Sequence, residues 1–295
     1  MNILGSIGTL LLGLASLVAG AQDPYADAFT SYGKGELALA RGHIDLAVTD
    51  ARTAKDAGVW LLRGFIYKDV FKGMAPGPEA DVVRDEAVAS LHTCMQLDVA
   101  GKYRKDAVPA FEFLTRTYYN DAARALNQMD APRAQQLFAK YKEAQLRLEP
   151  RTDLKPRDIE FQNALGTVYT KRYAQDRRDT TWYYKAEAVY LRVLELDPAN
   201  YGAQYNLATL HYNRGVYNIQ QISPENDIPS IQDIQRVSRH FFQKALPFML
   251  KAHDMNPRRK ETLLGLEGIY YSLQDQEKSD HYRKLYDALE AEDER

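Results

Sequence analysis

Three stretches of the sequence share one spacing, and that spacing restricts the chain to packed helices. "LGTVYTKRY" from Leu165, "LATLHYNRG" from Leu207 and "LEGIYYSLQ" from Leu266 each set a Leu four positions before an aromatic residue or His. Two more follow a second rule. "AEAVYLRVLELDPAN" from Ala186 and "ALPFMLKAHDMNPRR" from Ala245 carry Ala, then a large residue four on, a small apolar residue seven on and Pro twelve on. Recurrence at three and four residues is the signature of a helix with one buried stripe. Small residues let two such helices approach, and Tyr, Phe and Leu fill the groove between them. The Pro ends the second helix, because the residue before it is pushed out of the helical region. No period-two alternation is sustained and no Asn-Gly turn occurs, so no strands are expected.

The two patterns in this order resemble the tetratricopeptide repeat, an antiparallel helix pair of about 34 residues. The N-terminal half fits the same plan more loosely. "ELALARGHIDLAVTDARTA" supplies Gly42 in a turn and then Ala47, Ala51 and Ala54 along a second helix; "WLLRGFIY" supplies Trp60, Gly64 and Tyr67; "EAVASLHTCMQLD" is its partner. "YYNDAARALNQMDAPRAQQLFAKYKEAQLRLEP" reads as another pair, turning at "NQMDAP" and stopping at Pro150. The expected fold is all-α: a solenoid of about six helix pairs between residues 27 and 290, with degenerate pairs over 22–158, regular units over 159–290 and an acidic tail at 291–295.

Three units are stretched at the turn from first to second helix. Tyr67 and Ala87 lie twenty apart, Tyr169 and Ala186 seventeen apart, and Tyr217 and Ala245 twenty-eight apart, where the plain repeat needs about nine. Equivalent turns line up along a stack, so all three insertions fall on one edge. In the longest, at 218–244, "SPENDIPS" is a break, and Ser230 with Asp233 has the form of a capping box. Ile231, Ile234, Val237, Phe241, Ala245, Phe248, Ala252 and Met255 recur helically after it, predicting one helix over 231–255, about 37 Å long. Pro247 falls mid-helix, against the carbonyl of Gln243, and predicts a kink.

The N-terminal "ILGSIGTLLLGLASLVAG" with "AGA" at Ala19–Ala21 has the form of a signal peptide over 1–21, with Gln22 as the mature terminus. This predicts an exported protein, periplasmic or envelope-associated; the alternative is an uncleaved anchor in an inner membrane. No other segment is long and apolar enough to span a bilayer. With export, the repeat resemblance is to the periplasmic type of Gram-negative bacteria.

Formal net charge is −2 with both signs interspersed, which gives no footprint for nucleic acid. The single Cys94 cannot form an internal disulfide and lies on an apolar stripe, so it reads as a small buried hydrophobe. The histidines at 43, 92, 211, 240, 253 and 281 make no metal-ligand spacing, and no phosphate-binding glycine loop or nucleophile motif occurs. His211 stands where the repeat takes a core-edge Tyr. No cofactor, metal or catalytic residue is expected, and Tyr67, Tyr169, Tyr190 and Tyr270 read as core. The repeat resemblance implies a concave groove lined by the first helices. Its candidate residues are Tyr119, Asn163, Thr167, Thr170, Tyr205, Thr209 and Tyr212, aromatic and hydrogen-bonding, suited to an extended peptide or a partner helix. Chaperone-tail-binding repeats carry a Lys, Asn and Arg clamp there; Glu160, Asn163, Thr167, Gly202 and Tyr205 do not reproduce it. The expectation is a non-catalytic protein-binding scaffold using the groove or the insertion edge. The alternative is a small-molecule or glycan binder with a pocket between groove and insertions.

Overall fold

A computed structural model describes residues 23–293; the proposed signal lies outside them. The described residues form twelve helices and no strand, taken in chain order as six pairs. These are α1 (Pro24–Gly33) with α2 (Leu37–Ala47), α3 (Ala57–Lys72) with α4 (Pro78–Leu97), α5 (Arg104–Asn127) with α6 (Ala131–Leu148), α7 (Lys155–Gln175) with α8 (Thr180–Leu196), α9 (Tyr201–Ile219) with α10 (Ile228–Met255), and α11 (Lys260–Ser272) with α12 (Gln276–Asp293). The fold is a TPR-like helical repeat. Two compact units divide between Arg116 and Thr117, inside α5. The sequence draws its boundary at 158/159 because motif regularity changes there; compactness follows packing instead.

Side-chain caps start the helices. Asp23, Asp56, Asp130, Asp179, Asn200 and Asp227 each accept a backbone N–H from the first turn, satisfying a donor the helix cannot. Proline ends three of them as expected. Glu149, Asp197 and Asn256, each before a Pro, sit at φ −138, −142 and −147, outside the helical region.

Within the second unit, neighbouring helices close through small residues. Ala186 and Ala252 are wholly buried. A Cβ on Gly166 would lie 2.5 Å from the Tyr190 ring, and one on Gly215 2.5 Å from the Phe242 ring. Both glycines therefore admit an aromatic ring directly against the helix backbone. Tyr67, Tyr169, Tyr190 and Tyr270 are all buried, as their repeat positions require.

The stretched turns are absorbed into the helices. Only Gly73–Gly77 separates α3 from α4, and 176–179 separates α7 from α8. In the fifth pair α9 runs to Ile219 and α10 starts at Ile228, so the linker is 220–227 and the expected break at "SPENDIPS" is set too late. The cap is Asp227, which accepts from Ser230 N at 3.0 Å, not Ser230 with Asp233. Pro229 lies in the first turn, where a missing N–H costs nothing; Asp233 instead pairs with Arg236 at 3.1 Å. α10 is continuous across Pro247, so the proline does not divide the helix.

Candidate functional site

The first helices of the second unit lie side by side, α7 touching α9 and α9 touching α11. The predicted residues fall in three groups, of which one lies on their shared face, one beside it and one turned away. Tyr119, half-buried at the end of α5, meets Tyr141 at 5.1 Å between ring centroids and lies under the Arg157 guanidinium at 4.9 Å. Burial, together with a bond to Glu160, raises its hydroxyl above the usual tyrosine range.

Asn163 donates to Asn200 Oδ1 at 3.2 Å, while its own Oδ1 is shielded from solvent with no partner. Thr167, one turn on, is exposed and donates to the Asn163 carbonyl. Tyr205 and Thr209 occupy the matching places on α9. The Tyr205 ring stacks on Tyr201 at 6.0 Å and 9°, and burial raises its hydroxyl.

Thr170 and Tyr212 also match each other, five positions after Leu165 and Leu207, and both turn away from that face. Thr170 Oγ1 lies 3.4 Å from the Tyr190 hydroxyl on α8. Tyr212 packs on Phe242 of α10 at 5.6 Å and against the core of α10 and α11. The structure thus gathers Asn163, Thr167, Tyr205 and Thr209 on α7 and α9, places Tyr119 beside α7, and sends Thr170 and Tyr212 into the seams between paired helices.

Sequence reasoning missed three side chains that complete this face. Tyr201 bonds Thr262 Oγ1 at 2.8 Å, joining α9 to α11, and Arg259 lies 5.2 Å over its ring. The Tyr201–Tyr205 spacing of four was a visible signal; Arg259 and Thr262 come from the next unit and gave none.

A second polar group lies under the insertion. His211 is 1% exposed, and its Nδ1 is 2.6 Å from the Tyr183 hydroxyl. Its Nε2 is 3.7 Å from Glu187, which accepts from Lys244 Nζ at 2.7 Å. Burial first, then Lys244 and His240, hold the imidazole down to about 3, and burial lifts the Tyr183 hydroxyl well above its normal range. A neutral imidazole bonded to a protonated phenol ties α8 to α9, and Lys244–Glu187 ties α10 to α8. His211 lies deeper than the core-edge position expected of it, closed to any substrate. Burial also pushes the Cys94 thiol up to about 11, which suits an apolar filler rather than a nucleophile. Among the described residues, no cluster of His, Cys, Asp or Glu could hold a metal, and no helix is long and apolar enough to cross a membrane.

No protein-family model matches the sequence, and no curated protein matches it. Among solved structures, the chain is similar to an IFIT1 monomeric mutant with Gppp-AAAA, at 13% identity and TM-score 0.32, over 88% of this chain and 58% of that one. A second IFIT1 monomeric mutant, with m7Gppp-AAAA in the anti conformation of the cap, gives 14%, 0.32, 88% and 58%. The chain therefore spans under two thirds of the length of the proteins it matches. Likeness at this level carries no argument about what this chain binds.

Proposed function

We propose that this protein is a non-catalytic scaffold that holds a segment of a partner protein against the first-helix face of its second unit, acting in the cell envelope after export. The observation that carries the reading is the Tyr201–Tyr205 pair, stacked at 6.0 Å between centroids and 9°, on a face otherwise built of hydroxyls and amides. Stacked phenol rings offer a flat apolar surface with polar edges, which suits an extended peptide. Export rests on the N-terminal run, which lies outside the described residues.

Site-specific photo-cross-linking tests this. A cross-linker at exposed Thr167 should yield one discrete protein adduct in envelope extract, and Tyr201→Ala should diminish it. A cross-linker at Arg192, exposed on α8, should yield none. Equal adducts at both positions, or none at Thr167, would remove the scaffold reading from this face. An oligonucleotide of the Gppp-AAAA kind is the competitor expected to have no effect.

A further inference from the structure

The first and last helix pairs face water differently. α12 exposes Glu277, Lys278, Asp280, Arg283, Lys284 and Asp287, the polar outer face that a terminal repeat needs. The first pair packs on α3 and lacks such a face. Along α2, Ala40, Ile44 and Ala47 are buried, while Leu39 and Leu46 stand 58% and 60% exposed with exposed Gly42 between them. Nothing lies within 4 Å of a Cβ placed on Gly42, and half-buried His43 flanks it.

α2 has two charged side chains, and both turn to α3. Arg41 lies 4.8 Å over the Tyr67 ring, and Asp45 bonds Arg63 at 2.9 Å and the Tyr67 hydroxyl at 2.7 Å. On α1, Phe29 is 64% exposed, with exposed Ala26, Thr30 and Gly33 around it. The single charge of that helix, Asp27, is half-buried, with one carboxylate oxygen shielded from solvent. Charges return only beyond the ends of α2, with both signs at each end: Lys34 and Glu36 before it, Asp50 with Arg52 at 2.5 Å after it.

We propose that this face binds a second copy of the chain, two α2 helices crossing antiparallel at Gly42 so that Leu39 of each copy meets Leu46 of the other. A twofold contact demands a surface complementary to itself, residue i meeting j while j meets i. The stripe has that form: one leucine stands three residues before the glycine and another four after it, so reversing the helix about Gly42 lays Leu39 on Leu46. The glycine lets the two backbones approach where the axis passes. Self-pairing sets every charge of a face near its own copy, so a charged stripe would repel itself; this stripe carries none. The antiparallel crossing also points Lys34 and Glu36 of one copy toward Asp50 and Arg52 of the other, two groups that are each neutral in sum. Stacking of the first pair on α12 of another copy would set Leu39 and Leu46 against charges, since α12 exposes a single large apolar residue, Leu285. The paired helix is eleven residues, about 16 Å long, which covers less than the roughly 800 Å² per partner of a standard interface. The expected dimer is therefore reversible, with a dissociation constant on the order of 10–100 µM. The surface lies in the first unit and uses none of the Tyr201–Tyr205 face.

Sedimentation velocity on the chain from Gln22, the form that export predicts, should show monomer at about 2 µM and mostly dimer at about 500 µM. Leu39→Glu and Leu46→Lys, each at an exposed position, should stay monomeric at both concentrations. Their melting temperatures, read at the lower one, should lie within about 2 °C of the parent. Mixed one to one, the two variants should associate at least about tenfold more tightly than either alone, because the new carboxylate of one faces the new ammonium of the other. A photo-cross-linker in place of Leu46, in the full chain mixed with envelope extract, should link two copies. Four results would overturn the proposal: monomer at every concentration, a dimer that neither substitution weakens, a mixture no tighter than its components, or links made only to residues 1–21 of the same chain or only to a different protein.

Discussion

Arg63 in the first unit and Tyr190 in the second both join neighbouring helices, by different means. The Arg63 guanidinium reaches Asp45 on α2 at 2.9 Å, Glu86 on α4 at 2.9 Å and Ser90 at 2.7 Å, and lies 4.3 Å over the Tyr67 ring. Tyr67 itself donates to Asp45 at 2.7 Å. Tyr190 on α8 lies flat against Gly166 on α7, with its hydroxyl near Thr170 and no charge involved. One seam depends on which groups are present and where their partners stand; the other depends on volume. A packing seam repeats in sequence because the same small-against-large spacing recurs. An ionic seam hides its rule, since Asp45, Arg63 and Glu86 lie on three different helices.

The difference can be broken hardest on the packing side. Ala186→Arg forces a charge into a wholly buried contact and should cost more than about 4 kcal/mol, unfolding the seam around α8. Hydrogen exchange should then show α8 and α9 unprotected; retained protection would mean the contact has room to spare. On the ionic side, Arg63→Ala strips the shared partner from two carboxylates that water still reaches, so the loss should be smaller. About 1–3 kcal/mol is expected in urea denaturation, shrinking in concentrated salt. The corresponding salt series on a Gly166 variant should be flat.

The third test uses pH. The His211 imidazole is held down to about 3, against 6.5 for an ordinary histidine. Below pH 6.5 the unfolded chain therefore takes up a proton that the folded chain refuses, and stability falls as pH falls. Between pH 6.5 and 5 the drop from this group is about 2 kcal/mol, and His211→Gln should show a correspondingly shallower slope. Equal slopes would mean the imidazole is not held neutral.

The smallest effects compare two glycines. Gly42→Ala on α2 meets nothing within 4 Å and should stabilise by about 0.5–1 kcal/mol. Gly166→Ala puts a methyl into the Tyr190 ring and should destabilise by about 1–3 kcal/mol. Matching signs in thermal melts would refute the distinction between an open and a closed position.

The same physics explains what the sequence disclosed. Five of the pairs, the proline stops and the buried Ala186, Ala252 and Tyr190 were legible because each obeys a local spacing rule; the first pair was misplaced, since Gly42 lies inside α2 rather than in a turn, and Ala51 and Ala54 lie beyond its end. The start of α10 was misplaced because Asp227 outcompetes Ser230 as a cap once Pro229 is accepted inside the first turn. Thr170 and Tyr212 were assigned to the groove on sequence spacing, yet which way position five faces depends on how the paired helix crosses. The uncharged outer face of the first pair was invisible, since it depends on Arg41 and Asp45 both turning inward to α3.

Asp227 has a practical consequence. It sets the start of α10 from within its own neighbourhood, accepting from Ser230 three residues on, so the phase of that helix does not depend on the residues that lead up to it. A foreign loop or a fluorescent reporter spliced between Gln221 and Glu225 would leave the downstream register intact, making this tip a natural grafting point.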